Sequence, residues 1–260
     1  MARDLIHPIE SLRTSMNLVS PFPRGVVPIP QPVSGTSFFP GGTGIWNTTP
    51  GKPTPPMPIG GVMILGHDYH SEAGFQKTLA RGIENLKGPT WGNLLKLLDR
   101  ANIRREDCFF TNFFVGLRAG TRSTGKFPGL HDAAFVERCR SFLIQQISVQ
   151  RPKLVITLGS YVPFLIAPLS PSLTPWLFAK TFIKIDHNDH SVLNEVTFPQ
   201  IGIPLIVTFV ALIHPCYRLR NVYIRRYKNA QGEAAESLML ADAMATSGIK
   251  HICVDRTSLQ

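Results

Sequence analysis

The sequence has few cysteines, and none of them lie close together. Cys108, Cys139, Cys216 and Cys253 are spread along the chain without a C-x-x-C pair. This spacing excludes a zinc ribbon and a dithiol redox motif. Since cysteine is among the residues most often buried, we expect four isolated buried thiols.

Long apolar runs are also missing. The first residues, MARDLIHPIESLRTSMN, contain no apolar stretch of signal-peptide length, and no later segment reaches the about 18 apolar residues of a membrane span. We therefore expect a protein without a membrane partner that is located in the cytoplasm, and with the nucleoid if the source is bacterial.

Acidic residues are scarce relative to basic ones. The chain of 260 residues contains 27 Lys and Arg against 17 Asp and Glu, a net charge of +10. This excess favours a polyanionic partner such as nucleic acid through non-specific electrostatics. The alternative is a basic protein that its charge merely keeps in solution.

Proline and glycine are concentrated in residues 21–60. The segments PFPRGVVPIPQPV, FPGGTG and TPGKPTPPMPIGG resist both helices and sheet ladders. We therefore divide the chain into an arm, residues 1–60, extended over the core, and one α/β domain, residues 61–260. A disordered tail is the alternative, although Phe38, Phe39 and Trp46 would anchor the arm.

Apolar runs recur at wide intervals after residue 60: GVMILG (61–66), CFFTNFF (108–114), KLVITLG (153–159) and IPLIVTFVALI (203–213). Such runs are typical of parallel strands that are buried on both faces. Amphipathic helical patterns lie between them, and a last one precedes Gly248. The alternation predicts a three-layer α/β/α sandwich with a mostly parallel four-stranded sheet, and residues 167–200 form an irregular insertion.

Polar residues lie within or directly after each predicted strand. In chain order they are Asp68, Tyr69, His70, Asn112, Gly159, Ser160, His214 and Pro215. Because ligands bind at the carboxyl ends of parallel strands, we predict that these residues converge on one edge of the sheet.

Each of these residues also has a purely structural alternative. Asp68 and Ser160 could cap helices that begin at residues 71 and 161, and Asn112 could bond neighbouring backbone. His214 could be a core histidine bonded to a carbonyl.

Four short motifs resemble, in order, those of the uracil-DNA glycosylase superfamily. GHDYH is similar to the Gly-x-Asp-Pro-Tyr-His turn that carries the catalytic acid, without its proline. TNFF resembles the strand motif whose asparagine recognises the base, LGSYVP the glycine-serine phosphate loop, and HPCYR the His-Pro motif with its DNA-wedging loop. KGPTWGNLLKLL lies where the family has a proline-rich DNA-compressing loop and a helix. The resemblance spans roughly residues 60–227.

The resemblance implies a monofunctional hydrolase that flips uracil out of single- or double-stranded DNA and cleaves its N-glycosidic bond in base excision repair. Asp68 would stabilise the positively charged sugar and orient the attacking water. His214 would hydrogen-bond the negative charge that develops on the uracil O2. The products would be free uracil and an abasic site, and we expect a monomer.

Base recognition is implied by a second set of residues. The amide of Asn112 matches N3–H and O4 of uracil and not the 4-position of cytosine. Phe75 is the candidate for stacking on the flipped base, with core packing as its alternative. Because the proline is missing, either Tyr69 or His70 could block the methyl group of thymine.

DNA contacts are implied by the remaining motif residues. Gly159 and Ser160 would hold a phosphate at a helix N-terminus. Leu219 is favoured as the wedge, the side chain that fills the gap left by the flipped base, and Arg218 as a phosphate or base-gap contact. The further candidates are Pro89, Thr90, Pro215, Arg220, Arg225 and Arg226, for which a solvated basic face is the alternative.

The sequence also limits which cofactors and other functions need to be considered. The iron-sulfur branch of the superfamily needs four suitably spaced cysteines, so we predict neither a cluster nor any other metal or cofactor. A nucleic-acid-binding protein with this fold but weak or no catalysis, or a glycosylase for another deaminated base, remains possible. A serine hydrolase with Ser160, His214 and Asp68 is a weaker alternative, because the G-x-S-x-G motif is missing.

Overall fold

The computed structural model describes residues 8–46, 49 and 54–249, in which helices and strands alternate along the chain. The helices are α1 (Pro8–Ser15), α2 (Glu72–Arg81), α3 (Pro89–Arg100), α4 (Ala133–Gln150), α5 (Tyr161–Ile166), α6 (Thr174–Phe178), α7 (Phe182–His187), α8 (Arg218–Asn221) and α9 (Glu233–Ser247). The strands are β1 (Val26–Val27), β2 (Val62–Gly66), β3 (Cys108–Asn112), β4 (Leu117–Arg118), β5 (Leu154–Leu158), β6 (Val192–Thr197), β7 (Ile206–Leu212), β8 (Arg226–Tyr227) and β9 (Ala230–Gln231).

The central sheet has five strands in the order β3-β2-β5-β7-β6, one more than predicted. The four predicted strands are parallel, and the additional strand β6 is antiparallel to β7 at the edge of the sheet. Strand β6 lies inside residues 167–200, which the sequence predicts as an irregular insertion. Its sequence VLNEVT is largely exposed and its register shifts between Leu193 and Val196, so it has no continuous apolar run.

Helices cover both faces of the sheet, which confirms the predicted α/β/α layers. Met63 and Leu65 of β2 pack in a core cluster that contains the apolar residues of α4 to α7. Val62 and Ile64 of the same strand pack in a second cluster, with α3 and α9. Successive side chains of a strand point to opposite faces, so the complete burial of β2 requires both helical layers.

Part of the predicted arm lies along the outer edge of β3. The backbone N–H of Phe39 donates to the Phe110 carbonyl at 3.0 Å, and the Phe110 N–H donates to the Gly44 carbonyl at 2.8 Å. The side chains of Phe39 and Ile45 are buried against the core. Residues 36–45 are therefore largely buried against the outer edge of the sheet. No helix in the described part of the chain is long and apolar enough to span a membrane.

Candidate active site

A cleft of about 800 Å³ opens at the carboxyl ends of the four parallel strands. The predicted residues that line it are Asp68, Tyr69, His70, Pro89, Thr90, Asn112, Gly159, Ser160 and His214. The parallel topology thus brings these residues to a single site. Their helix-capping alternatives find no support: Ser71, not Asp68, caps α2 by accepting from the Gly74 N–H at 3.2 Å, and Ser160 makes no side-chain cap bond to α5.

Two glycines allow the strand ends to come close together. A Cβ atom at Gly66 would collide with the Oδ1 atom of Asn112, which pairs with Gly66 across β2 and β3. Gly159 has φ +96°, a conformation that side chains rarely adopt, and its Cβ position would lie 3.4 Å from the Cβ of His214. Glycine at these positions lets Asn112 and His214 face the same space.

Asp68 is held by a bidentate ion pair that the sequence did not predict. Arg118 donates from Nε to Oδ1 at 3.0 Å and from Nη2 to Oδ2 at 2.8 Å, and His67 Nδ1 lies 2.7 Å from Oδ2. Burial raises the pKa of Asp68, but the hydrogen bonds and positive charges of His67 and Arg118 outweigh it and lower the pKa below its usual value. Asp68 is therefore a carboxylate at neutral pH whose charge is largely compensated.

The remaining donors of Arg118 bind the loop that follows it. Its Nη1 atom donates to the carbonyls of Thr124 (3.2 Å) and Lys126 (2.9 Å), and Nη2 donates to that of Gly125 (2.8 Å). Only 4% of the Arg118 side chain is exposed, and the guanidinium lies over the ring of Phe127. Arg118 thus connects Asp68 to this loop. The only signal in the sequence is an arginine six residues after Asn112.

His214 is neutral at physiological pH. Burial lowers its pKa to about 4, although Asp68 acts in the opposite direction. Its Nδ1 atom accepts a hydrogen bond from the backbone N–H of Cys216 at 3.3 Å and lies 3.0 Å from the Cys216 thiol, and both contacts fit a ring nitrogen without a proton. The proton of the neutral ring is then on Nε2, which can donate a hydrogen bond to a substrate.

Tyr69 and His70 both line the cleft, so the structure does not choose between them as the residue that blocks thymine. The Tyr69 hydroxyl lies 3.3 Å from Thr36 Oγ1 of the arm, and burial raises the pKa of Tyr69 to about 12. His70 Nδ1 accepts from the Ser71 N–H at 2.9 Å, and burial lowers the pKa of His70. Each side chain is therefore held by one polar contact, Tyr69 with the arm and His70 with the start of α2.

Phe75 does not lie where the predicted stacking role requires it. Its side chain is 0% exposed and packs with Val33, Leu117 and Tyr69 behind the wall of the cleft, which agrees with the core-packing alternative. Phe38 of the arm lines the cleft instead, and its Cε1 atom lies 3.6 Å from the Cβ position of Gly66, beside Asn112. The sequence does not predict Phe38 as a cleft residue, because it lies 74 positions from Asn112.

Three of the predicted DNA contacts are buried. Arg225 is 0% exposed and pairs with Asp186 (2.9 Å) and Glu236 (2.7 Å), and Arg218 pairs with the other oxygen of Glu236. Pro215 is also buried, and its carbonyl accepts from Asn93 Nδ2 at 2.9 Å. These residues stabilise the fold around His214 and have no free surface for DNA.

The other candidates in this region are exposed. Leu219 is 83% exposed in the short helix α8, which follows His214, and Arg220 lies beside it. Arg226 is exposed as well, but its guanidinium bonds the carbonyls of Tyr223 and Arg225. An exposed apolar side chain next to the cleft is compatible with a wedge.

The cysteines differ from the prediction at one position. Cys108 and Cys139 are buried free thiols, whereas Cys216 is half-buried and lines the cleft, and Cys253 lies outside the described residues. In the part of the chain that the structure describes, no group of three or more His, Cys, Asp or Glu side chains could hold a metal ion.

Most of the chain matches a known protein family. The model of the uracil DNA glycosylase superfamily matches residues 62–234, about two thirds of the chain. No curated protein matches the chain with significant similarity. The matched segment contains every strand of the central sheet and every cleft residue discussed above except Phe38 of the arm.

Proposed function

The chain belongs to the uracil DNA glycosylase superfamily, and we propose that it is a monofunctional uracil-DNA glycosylase that acts as a monomer and releases free uracil. Membership itself assigns DNA glycosylase chemistry in general, the hydrolytic removal of uracil or another deaminated base. The finer proposal is carried by one observation, the meeting of Asp68, Asn112 and His214 in a single cleft.

Recognition of the base is assigned to Asn112 and Phe38. Asn112 is 4% exposed, and its one described side-chain bond, from Nδ2 to the Phe39 carbonyl, is 3.5 Å long and therefore weak. Its Oδ1 and Nδ2 groups are thus available to N3–H and O4 of uracil, while cytosine would leave them unmatched. The ring of Phe38 beside Asn112 offers a stacking surface to the flipped base.

His214 is assigned to the leaving group. When the C1′–N1 bond breaks, its electron pair leaves with the base and negative charge develops on O2. A neutral imidazole with its proton on Nε2 stabilises this charge through a hydrogen bond, and it is already neutral because burial lowers its pKa. Loss of one such donor reduces kcat by about 100- to 1000-fold in other enzymes.

Asp68 is assigned to the sugar and the water. Its carboxylate would stabilise the positive charge at C1′ and accept a hydrogen bond from the water whose oxygen bonds to C1′. The water loses one proton when its oxygen bonds to C1′, and this proton neutralises the negative charge of the released base. Because Arg118 and His67 occupy three of its bonding directions, we expect Asp68 to orient the water more than to supply negative charge.

The DNA backbone is assigned to the cleft rim. Gly159 and Ser160 would contact the phosphate next to the flipped nucleotide, and Pro89 and Thr90 would press on the strand at the start of α3. Leu219 would fill the gap in the base stack. Arg220 remains as a phosphate contact beside it.

The test is base release from a labelled oligonucleotide that contains one uracil, followed by alkaline cleavage of the abasic site. Matched oligonucleotides with thymine, cytosine or hypoxanthine at the same position measure specificity. We expect cleavage at uracil, and a rate that falls by about 100-fold or more in the His214→Ala variant. Intact uracil strands at an excess of the protein would contradict the proposal.

The compensated charge of Asp68 favours one second candidate, a DNA-binding protein with this fold and little catalysis. Its ion pair with Arg118 weakens the carboxylate as a partner for the sugar cation. This candidate predicts DNA affinity that falls steeply with salt but no release of any base from the four oligonucleotides. Measurable release would exclude it.

A further inference from the structure

The loop of residues 119–126 borders the cleft and carries two basic residues that the motifs do not include. All eight of its residues are exposed, and they include Arg122 and Lys126. Thr121, Ser123, Thr124 and Gly125 of the same loop line the cleft, as does Lys77 of the neighbouring helix α2. Neither Arg122 nor Lys126 forms an ion pair with any residue that the structure describes.

This loop is held in place although it is exposed. Arg118 donates to three of its consecutive carbonyls, those of residues 124–126. At its other end the Gly120 N–H donates to the Glu72 carboxylate at 3.1 Å, and the Ala73 N–H donates to the Gly120 carbonyl at 3.0 Å. With the Ala119 N–H, which donates to the Gly25 carbonyl at 2.9 Å, six hydrogen bonds fix the backbone of the loop.

Hydrogen bonds place this loop away from His214 and Leu219 in the sheet order. The loop follows β3 and β4 and is tied through Arg118 and Gly120 to Asp68, Glu72 and Ala73, which follow β2. Leu219 follows β7, and β5 lies between β2 and β7 in the sheet. A nucleotide carries one phosphate on its 5′ side and one on its 3′ side, so contacts beside Leu219 leave a second phosphate for the loop.

The charges on the Leu219 side are also fewer than the sequence predicts, because Arg218 and Arg225 are buried in ion pairs. We therefore propose that Arg122 and Lys126, with Lys77 beside them, form a second phosphate clamp on the β3 side of the cleft. The partner is the sugar-phosphate backbone of the DNA strand whose base enters the cleft. This inference rests on the proposed function, since it assumes that DNA occupies the cleft.

The experiment compares the double variant Arg122→Gln/Lys126→Gln with a matched control, Arg104→Gln/Lys153→Gln. The control removes one exposed arginine and one exposed lysine. They precede β3 and β5 and so lie at the amino ends of these strands, opposite the cleft. Affinity for an oligonucleotide with an abasic site is measured at several salt concentrations. Base release does not enter this measurement, so it is independent of the test of catalysis.

We expect the loop variant to flatten the dependence of log affinity on log salt by about 0.9 for each lost contact with duplex DNA, or about 0.7 with a single strand. The control should retain the salt dependence of the parent protein. A variant with Arg122→Lys in place of Arg122→Gln should recover part of the lost slope. Thermal unfolding should change little in both variants, because their side chains are exposed and the ion pair of Arg104 with Asp107 lies at the surface. Equal slopes in the loop variant and the control, or no salt-dependent binding by the parent protein, would overturn the proposal.

Discussion

The substitution Glu236→Gln tests how the loop that carries His214 is held. The Glu236 side chain is 0% exposed, and its Oε1 atom accepts from the Ile213 N–H at 2.8 Å and from Arg225 Nη1 at 2.7 Å. Its other oxygen pairs with Arg218, and Arg225 also pairs with Asp186. The buried side chains, two arginines and two carboxylates, have no net charge, and the half-exposed Glu233 lies 3.7 Å from Arg218 at the margin of the group. Glutamine would leave one buried positive charge that faces only Glu233.

Removal of one partner from a buried ion pair costs about 3–5 kcal/mol, since the other charge remains without compensation. For a chain of this size, 1 kcal/mol changes Tm by about 2–4 °C, so Tm should fall by about 6–20 °C. Thermal unfolding followed by circular dichroism measures this change. The rate of base release should fall as well, because Ile213 directly precedes His214 in the chain.

The double variant Arg218→Met/Glu236→Gln distinguishes charge from packing. It removes one charge of each sign and leaves Arg225 paired with Asp186, so the group is neutral again. We expect it to be more stable than Glu236→Gln alone by about 1–3 kcal/mol, the usual coupling of contacting residues. A double variant that is less stable than the single one would refute the charge argument.

Three further predictions concern the cleft. Phe38→Ala should lower kcat/KM for uracil DNA by about 10- to 100-fold, because a base stacked on an aromatic ring gains about 1–3 kcal/mol. It should also lower Tm, because the ring packs against Trp91 and Phe110. An unchanged kcat/KM would exclude Phe38 from base binding. Asn112→Asp should reduce uracil release by about 100-fold or more, since a carboxylate has no N–H group for O4, and a full rate would argue against this pairing. His214 has a pKa lowered from 6.5 to about 4, so the unfolded chain binds more protons: stability is complete above pH 6.5 and should fall by about 3 kcal/mol as the pH drops to 4. Urea unfolding should show a smaller loss over this range in His214→Asn, and equal losses would contradict the burial of a neutral imidazole.

The parallel core could be predicted from the sequence because burial on both faces leaves a continuous apolar run. Strands β2, β3, β5 and β7 have such runs, and each was found within two or three residues of its predicted bounds. Strand β6 pairs on one side only and is largely exposed, so its composition did not distinguish it from a loop.

The cleft was predictable to the extent that its residues follow strands directly. Asp68 and His214 follow β2 and β7 and Asn112 is the last residue of β3, so topology alone brings the three together. Arg118 and Phe38 reach the cleft through tertiary contacts with residues far along the chain, which no local pattern records.

The prediction that the arginines after His214 contact DNA was partly wrong for a related reason. A cluster of arginines indicates an exposed basic face only if its partners are absent, and the acidic partners of Arg218 and Arg225 lie in α7 and α9. Charge composition therefore located the correct region but not the correct side chains.

The position of the arm along β3 has a consequence for the behaviour of shortened chains. Residues 39 and 44 satisfy backbone groups of Phe110 that face outward from the last strand of the sheet. A chain that began at residue 61 would present those groups, with the apolar side chains of β3, as an open strand edge. Such edges pair with other molecules. We expect such a chain to self-associate and precipitate. Its loss of activity would then reflect aggregation as well as the absence of Phe38.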